Sequence, residues 1–446
     1  MTCSICKILL RMCFLRILSG KKCKQKNLKI ILLIDKTVNI KKWRLQALHF
    51  NKIYAIIHTD RFTLFITFLF KYMSILEIVS KVDINEDLWN ESLEEHSIVP
   101  DEFDGTIYYR VVKKVGPLKK GTVVTDSGII YDFPRIARIL HLENGIKRAF
   151  SNPFFVEEKV DGYNVRIAKV QDQVFAFSRG SYVCPFSTDR LVDFFNYESF
   201  FNENPDLIVC GEVAGPENPY NGESPPYVTE DVGFFAFDIR INNSDQQVPL
   251  EKRYKLFDEF GIPTVTRYGR YTPSDIKDLK RHINDLNEKG CEGFVFKPTD
   301  PSETTVKYVT AGSCLRDMKV TSSLMTEYQA EFFTSRMLRS LFYLLENDLD
   351  LNEEFLKKTG EALLLPLFES VKMVAGGEMI TEKFKVRFNK KQNIKKLFEH
   401  FHKCKVDANL VRQEKIGKYW HVEFMRRCFP SYEAIQKYWD GNLHFD

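Results

Sequence analysis

Apolar and polar positions divide the chain into a strand-like part and a helical part. Up to about residue 310, apolar residues come in short runs or alternate with polar ones, which is typical of strands. The runs that predict strands are Thr106–Val112, Gly121–Val124, Pro153–Val156, Val174–Phe177, Leu207–Val213, Gly233–Ile239, Cys291–Pro298 and Val306–Val309. Turn signals such as Gly116-Pro117 and Asp161-Gly162 separate them. This part of the chain is therefore expected to be rich in sheet.

Beyond residue 310 the apolar positions recur at three- and four-residue steps, which predicts a helix with a broad apolar face. The face consists of Tyr328, Phe332, Phe333, Met337, Leu338, Leu341, Phe342, Leu344 and Leu345. Such a face packs in a core or forms an interface. The two patterns together predict the α+β class.

A basic region follows a loop at Gly376-Gly377, and we expect it to be helical as well. Its charged members are Lys383, Lys385, Arg387, Lys390, Lys391, Lys395 and Lys396, mixed with Phe384, Phe388 and Phe398. A solvated helix face accounts for this mixture, and so does a surface that binds an RNA backbone.

Charge is distributed unevenly along the chain, whose formal net charge is only +4. Residues 1–72 contain 15 Lys and Arg but only two acidic residues, Asp35 and Asp60, whereas the remainder contains 49 basic and 58 acidic residues. The first segment therefore carries +13 and the rest −9. Net charge is thus a poor argument for nucleic-acid binding by the body of this protein.

The first 72 residues form a basic extension with no proline and no glutamate. Two interpretations stay open: an organelle-targeting segment, or translated upstream sequence with Met73 as the natural start, which the abrupt change in composition favours. The longest apolar run near the end of this segment, Phe62–Phe70, is too short to span a bilayer. Cysteines without ligand spacing predict reduced thiols and a cytoplasmic protein.

Lys159 is the residue with the most distinctive setting in the sequence. It stands between the apolar run Pro153–Val156 and the turn at Asp161-Gly162, so we expect it at the end of a buried strand. An amine with an ordinary pKa of about 10.4 becomes a nucleophile when burial or nearby positive charge favours its neutral form. The alternative is a sheet-edge lysine that pairs with Glu157 or Glu158.

Four downstream stretches supply the chemistry that a nucleotide-handling lysine needs. Each places a charged residue at the end of a predicted strand or turn, and they follow in a fixed order. The stretches are Ser178-Arg179-Gly180, Cys210-Gly211-Glu212, Phe235-Ala236-Phe237-Asp238, and Glu292-Gly293-Phe294 with Lys297, which Lys307 closes.

This ordered set resembles the covalent nucleotidyltransferases, the superfamily of ATP-dependent polynucleotide ligases and GTP-dependent capping enzymes. Within it, the stretch Glu158–Arg166 is most similar to the archaeal-type, homodimeric ATP-dependent RNA ligases. The resemblance covers about residue 73 to the C-terminus and is strongest from Phe155 to Thr310.

The resemblance implies an ATP-grasp-like ligase fold: an antiparallel-sheet nucleotidyltransferase core with a small β-rich module before it and a helical region after it. The expected domains are the extension 1–72, the strand-rich module 73–150, the core 151–312, a helical domain 313–375 that is a candidate for dimerisation, and a helical domain 376–446.

The resemblance also implies the roles of the site residues. Lys159 would attack ATP, while Lys297 and Lys307 would lower its pKa and neutralise phosphate charge. Magnesium or manganese would be held by Glu212 and Glu292. The remaining contacts to nucleotide and RNA would come from Glu158 (through its backbone), Asn164, Arg166, Arg179 and Phe237. Phe235 and Phe237 share one strand face, so both also fit a core.

The implied activity is ATP-dependent joining of the 5′-phosphate and 3′-hydroxyl ends of single-stranded RNA, as in RNA repair, by a homodimer. Two other classes stay open. A DNA ligase or capping enzyme shares the lysine chemistry, but those families follow the closing lysine with a small β-barrel, where this sequence is helical. An RNA-binding protein that has lost the chemistry is the third possibility.

Overall fold

The computed structural model describes residues 72–221 and 224–443. The expectations for residues 1–71, including a targeting role and the cysteines Cys3, Cys6, Cys13 and Cys23, lie outside these residues. Within the described ranges, every helix lacks the length or the apolar character that a membrane span needs.

A small module precedes the core. Residues 72–80 are helical, and helix α1 (Glu86–Glu94) begins at Asn85, whose side chain accepts a hydrogen bond from the Leu88 amide at 2.8 Å. Trp89 is fully buried where α1 meets the sheet. The antiparallel sheet has the strand order β1 (Ile98–Phe103), β2 (Thr106–Val111), β3 (Val123–Val124) and β4 (Ile129–Ile130).

Two sheets form the core, and they confirm the expected antiparallel architecture. The first has the order β10 (Gly233–Ile241), β9 (Leu207–Ala214), β7 (Tyr163–Val170) and β8 (Gln173–Ser178). The second has the order β11 (Arg267–Tyr271), β6 (Phe154–Lys159), β12 (Gly293–Pro298), β13 (Val306–Val309) and β5 (Ala137–Arg138). Every neighbouring pair is antiparallel except β13 and β5, which are parallel.

Helices cover the outer faces of both core sheets. Against the first sheet the helices are α3 (Pro185–Phe194), α4 (Tyr197–Glu203) and α5 (Leu250–Glu259). Against the second they are α2 (Leu142–Ala149) and α6 (Ile276–Glu288). Part of the inner face of the first sheet packs against Tyr108, Val123 and Ile130 of the small module, and the rest of the two inner faces lines a cleft.

The two sheets meet where β6 ends at Lys159 and the turn through Val160 and Gly162 leads into β7. Gly293 lies directly opposite Lys159 in the register of β12. It has φ +151°, and a Cβ there would lie 2.1 Å from the carbonyl oxygen of Tyr308. Glycine is needed at this position because only a residue without a side chain lets β13 approach so closely.

The C-terminal region is helical directly after the core, as expected. Its helices are α7 (Ala311–Thr321), a 3₁₀ turn (Ser322–Glu327), α8 (Ala330–Glu346) and α9 (Glu353–Ala375). The prediction of a helical domain over residues 376–446 was wrong. That part holds an antiparallel sheet of order β14 (Thr381–Phe388), β16 (Tyr419–Arg427) and β15 (Ala408–Ile416), with α10 (Lys391–Lys403) and α11 (Phe429–Trp439).

The physical reason is a period of two in β14. Phe384, Val386 and Phe388 are buried on one side of that strand, while Lys383 and Lys385 point outward from the other. Alternation of this kind is a strand pattern.

Arg339 fastens the helical region to the core. It lies on α8 with its side chain fully buried, and it donates to the backbone oxygens of Val309 and Leu140, both at 2.9 Å. Arg339 also forms an ion pair with Glu346 at 2.9 Å, and the Glu346 side chain is only 1% exposed. The same carboxylate accepts a hydrogen bond from the Tyr308 hydroxyl at 2.5 Å.

Replacement of Arg339 by methionine is expected to destabilise the protein by about 3–5 kcal/mol, because it leaves the Glu346 carboxylate buried without its cation. Chemical denaturation followed by tryptophan fluorescence measures the loss. Lys372→Met is the control, since Lys372 pairs with Glu369 on the surface, with 57% of its side chain exposed, and should cost less than about 1 kcal/mol. Equal losses in the two variants would contradict the anchoring role.

Candidate active site

Lys159 ends the central strand β6 and points into the cleft. Its Nζ donates to Oε2 of Glu292 at 2.5 Å, and the two side chains are 21% and 8% exposed. Glu292 lies directly before β12, the strand that pairs with β6. The lysine and its carboxylate partner are therefore brought together by strand pairing, as the sequence predicted for a held lysine.

The electrostatics of Lys159 differ from the expectation. Burial by itself lowers the pKa of its amine, but Glu292, Glu212 and Asp161 together outweigh burial and raise the pKa above its ordinary value. The net pKa of Lys159 is thus raised and not lowered as expected from Lys297 and Lys307, although Lys307 opposes the shift because its repulsion with Lys159 is mutual. In this state Lys159 is a charged, paired lysine, and its activation requires that the carboxylates be drawn away.

Glu212 and Glu292 face Lys159 from different sheets. Burial raises the pKa of Glu212 to about 8 and that of Glu292 to about 7, although Lys159 opposes both shifts. Nearby acids add to both shifts: Glu292 and Asp161 raise the pKa of Glu212, and Asp161 also raises that of Glu292. The cluster holds more acid than one lysine can neutralise.

This excess of acid suits a divalent cation. Asn164 lies opposite Glu212 across β7 and β9, and its amide oxygen is buried without a hydrogen-bond partner. The described residues contain no group of three or more His, Cys, Asp or Glu side chains with metal-site geometry. Two carboxylates with an unsatisfied amide oxygen nevertheless fit Mg²⁺, which takes one or two protein carboxylates and completes its shell with phosphate oxygens and water.

Lys297 does not lie free in the cleft. Its Nζ pairs with Oε2 of Glu157 at 2.5 Å and donates to the carbonyl oxygen of Phe237 at 2.5 Å. Glu157 also accepts from the Tyr254 hydroxyl at 2.7 Å. Lys297 thus ties β12 to β6 and to β10, beside the nucleophile.

An apolar patch lies next to Lys159. It is formed by Val160, Ala214 and Val265, with Phe235 and Phe237 packed against them. Both aromatic rings are half-buried, which leaves a flat surface for a base.

The backbone and side chain of Glu158 are both engaged at the edge of this patch. The Glu158 amide donates to the carbonyl oxygen of Thr266 at 2.8 Å, and its carboxylate accepts from the Thr266 hydroxyl at 2.5 Å. Glu158 therefore lies beside the apolar patch, but its backbone N–H, which was expected to contact the nucleotide, already donates to Thr266.

Three basic residues line the opposite side of the cleft. Arg179 is exposed at the turn after β8 and donates to the carbonyl oxygen of Pro134 at 3.2 Å. Lys307 faces the cleft from β13, and Arg138 lies opposite it on β5. Arg138 is not among the expected site residues. The sequence marks it only as one of several basic residues after Asp132 that could meet phosphate, for which a solvated surface is the default interpretation.

Arg166 is a correction to the expected site. Its side chain is fully buried, and it donates to the carbonyl oxygens of Tyr131, Gly121 and Ser178 at 2.5, 2.8 and 2.9 Å. Burial lowers its pKa to about 10. Arg166 joins the N-terminal module to β7 and β8, and no contact with RNA is open to it in this structure.

Comparison with known proteins connects this geometry to a family. Residues 152–309 match the family model described as RNA ligase, and residues 320–442 match the model of the C-terminal region of the ligase Pab1020. A solved structure of a candidate ATP-dependent DNA ligase of Aquifex aeolicus is 35% identical, covers 80% of this chain and 100% of its own, and superposes with a TM-score of 0.76. The chain belongs to the RNA ligase family.

Two further relatives of this RNA ligase family member are each 28% identical to it. A solved archaeal ATP-dependent RNA ligase is 28% identical, covers 83% of this chain and 99% of its own, and has a TM-score of 0.75. An uncharacterized protein of Methanocaldococcus jannaschii is 28% identical over 353 residues, which are 76% of this chain and 88% of that protein. The enzyme class predicted from the sequence, a ligase, is thereby confirmed.

Affinity for ATP is expected to fall as the pH rises through 8. Burial, with the charges of Lys159 and Arg138, lowers the pKa of Lys307 to about 8, so the free enzyme loses this cation at a pH where an ordinary lysine keeps it. Well above pH 8, the loss should approach about tenfold per pH unit. Calorimetric titration with α,β-methylene ATP between pH 7 and 9.5 measures it.

Lys307→Arg is the matched control for this pH dependence. An arginine keeps its charge throughout this range, so the variant should lose less affinity between pH 7 and 9.5 than the wild type does. The loss that remains is due to other groups such as Glu212, whose pKa is about 8. A flat profile for the wild type would show that Lys307 does not contact the nucleotide.

Proposed function

We propose that this protein is an ATP-dependent RNA ligase, which joins an RNA 5′-phosphate to an RNA 3′-hydroxyl through a lysyl-AMP and an adenylylated RNA. The observation that carries the proposal is the position of Lys159, which lies half-buried among carboxylates at the junction of two sheets. An apolar patch lies on one side of it and basic residues on the other. A nucleotide fits this order, with its base on the patch and its phosphates toward the cations.

In the first step Nζ of Lys159 attacks the α-phosphorus of ATP. A nitrogen–phosphorus bond forms while the bond from that phosphorus to the pyrophosphate oxygen breaks, and pyrophosphate leaves with the electron pair. The amine must first lose its proton. It does so more readily when Glu292 and Glu212 no longer pair with it, because these carboxylates favour its charged form and burial favours its neutral form, and the proton passes to solvent.

Glu212 and Glu292 would hold a magnesium or manganese ion, with the unsatisfied amide oxygen of Asn164 beside them. Such an ion, when bound, neutralises charge on the phosphate oxygens of the reacting group. The protein's own contribution is to keep both carboxylates on rigid strands. When another cation binds the two carboxylates, they attract the Lys159 amine less strongly, and its pKa falls.

Phe237, together with Phe235, would stack on the adenine, and Lys297 would steady the edge of the base pocket through Glu157 and the Phe237 carbonyl. Arg179 and Lys307 would neutralise phosphate oxygens. In the second step an RNA 5′-phosphate oxygen takes the AMP from Lys159. In the third, an RNA 3′-hydroxyl attacks that phosphate and AMP leaves.

RNA is preferred over DNA as the substrate because both family models that the chain matches are those of RNA ligases or of an associated ligase region. The helical region after Lys307, where DNA ligases and capping enzymes have a small barrel, supports the same choice. DNA joining is the second candidate, because the relative with 35% identity carries that description.

A homodimer is part of the proposal. Helices α8 and α9 expose a large apolar surface, which we call the helical face: Leu338, Leu341, Leu345, Leu356, Leu364, Leu365 and Phe368. A second copy of the chain suits such a face, because a monomer rarely leaves this much apolar surface in water. We also propose the cytoplasm as the location, since all the described cysteines are free thiols.

Incubation of the full chain with ATP and magnesium is expected to add one AMP to Lys159, because this is the amine that the carboxylates and the base pocket surround. Intact-mass spectrometry followed by peptide mapping measures the adduct. Lys159→Ala should abolish it. Lys169→Ala is the matched control, a lysine on β7, the next strand along the chain, and should react as the wild type does.

The substrate is tested with end-labelled single strands that carry a 5′-phosphate. Joined or circular RNA with little DNA product supports the proposal, and preferential sealing of DNA would replace it with the second candidate. A GMP adduct would instead indicate capping chemistry. Absence of any adduct with every nucleotide and divalent metal would leave an RNA-binding protein with an inactive cleft.

The charged double substitution Leu345→Glu with Phe368→Glu is expected to convert a dimer to a monomer. These side chains are 73% and 59% exposed on the helical face, and burying two carboxylates at an interface costs more than the contact returns. Light scattering at micromolar concentration measures the mass. Val192→Glu, at a 61% exposed position on α3, is the control, and a monomeric wild type would contradict the dimer.

A further inference from the structure

Two of the basic residues in the cleft share one row of the second sheet. Strands β13 and β5 run parallel with Lys307 opposite Arg138, and residues opposite each other in a sheet point to the same face. That face is the inner one, because the neighbours of Lys307 in its strand, Val306 and Tyr308, are buried on the outer side against α2 and α6. Arg138 therefore projects toward the cleft beside Lys307.

Neither side chain has a protein partner. Among the residues that the structure describes, no hydrogen bond or ion pair involves the Lys307 amine or the Arg138 guanidinium, although both are half-buried. The pair is unfavourable in this state, since burial and the charges of Lys159 and Arg138 all lower the pKa of Lys307. Two unpaired cations this close call for an anion with several oxygens.

The sheet order fixes where that anion lies relative to the nucleophile. The row runs from Glu157 on β6 through Val295 on β12 and Lys307 on β13 to Arg138 on β5. At about 4.8 Å per strand, Arg138 stands roughly 14 Å from the strand that carries Lys159. The apolar patch lies toward the other edge, where Val265 precedes β11. Base, nucleophile and unpaired cations thus follow one another across the cleft.

In displacement at phosphorus, the attacking and leaving atoms lie roughly in line on opposite sides. We propose that Arg138, together with Lys307, binds the pyrophosphate portion of ATP and orients it opposite Lys159 as the leaving group. This inference rests on the proposed function and assigns Arg138 a role in the first step alone.

The chemistry supplies the reason for a guanidinium at this point. As the bond between the α-phosphorus and the bridging oxygen breaks, its electron pair stays with pyrophosphate, and negative charge grows there. Arg138 offers a planar set of N–H donors that match phosphate oxygens two at a time and keep their charge at any working pH. The same contacts bind pyrophosphate in the reverse reaction, when it attacks the lysyl-AMP.

The test separates the three steps in the full chain. For Arg138→Met we expect the KM for ATP in lysyl-AMP formation, and the KM for inorganic pyrophosphate in discharge of the lysyl-AMP, to rise at least about tenfold. Sealing of a chemically pre-adenylylated RNA needs no pyrophosphate contact and should stay within about twofold of wild type. Arg138→Lys should recover part of the loss.

The control is Arg148→Met, an exposed arginine on α2, which removes the same charge from the same module and should leave all three steps unchanged. The melting temperature of each variant checks that it is folded, and Arg138→Gln serves as the second variant if methionine does not fold.

Two outcomes would overturn the inference while leaving the proposed function intact. The first is that the wild type forms lysyl-AMP and the Arg138→Met variant forms it equally well at every ATP concentration. The other is a variant that forms and discharges lysyl-AMP normally but fails to pass AMP to an RNA 5′-phosphate, which would assign Arg138 to the RNA. A wild type that forms no lysyl-AMP would instead overturn the proposed function, and this inference with it.

Discussion

The pairing of Lys159 with Glu292 is the constraint on which the site depends. A lysine whose side chain is only 21% exposed keeps its charge only if acid is brought to it, and here three acidic residues surround one amine. The arrangement stores the nucleophile in its protonated, unreactive form until other cations and the nucleotide enter. Burial then works in the opposite direction, because without its carboxylates a desolvated lysine loses its proton more readily.

The fold keeps this cluster in place by putting its members in or beside paired strands. Lys159 closes β6 and Glu292 precedes β12, so the pairing of these two strands sets their distance. Glu212 lies in β9 of the other sheet, where it is held opposite Asn164 of β7. Cores on the outer faces of both sheets hold the strands rigid. The flanking parts are fastened by buried arginines, Arg166 to the N-terminal module and Arg339 to the helical region, each donating to backbone oxygens.

The sequence predicted the strands and the order of the charged residues because each of them sits where an apolar run ends, and such signals are local. It could not predict partners that come from distant segments. Arg166 shares the inner face of β7 with Asn164, and only the packing of Gly121 and Tyr131 over it decides that one is structural and the other faces the cleft. The ion pair of Lys297 with Glu157 was unpredictable for the same reason, because the two residues are brought together only by the pairing of β12 with β6. The C-terminal sheet was missed because its strand β14 is rich in lysine, which masked the period of two in its apolar residues.

Lys297 and Lys307 show how a lysine that stabilises the fold differs from one that is available to a ligand. Lys297 and Lys307 both lie on the second sheet and face the same space. The Lys297 amine lies 2.5 Å from the Glu157 carboxylate, which neutralises its charge within the protein. Lys307 has no ion-pair partner among the described residues, and burial with the charges of Lys159 and Arg138 outweighs Glu292, so the pKa of its amine falls to about 8. Burial of an unpaired cation is unfavourable in free energy. A bound anion offsets this, because the low dielectric environment that disfavours the unpaired cation also strengthens its attraction to phosphate. The charge that the protein leaves unpaired is therefore the better guide to where the polyphosphate lies.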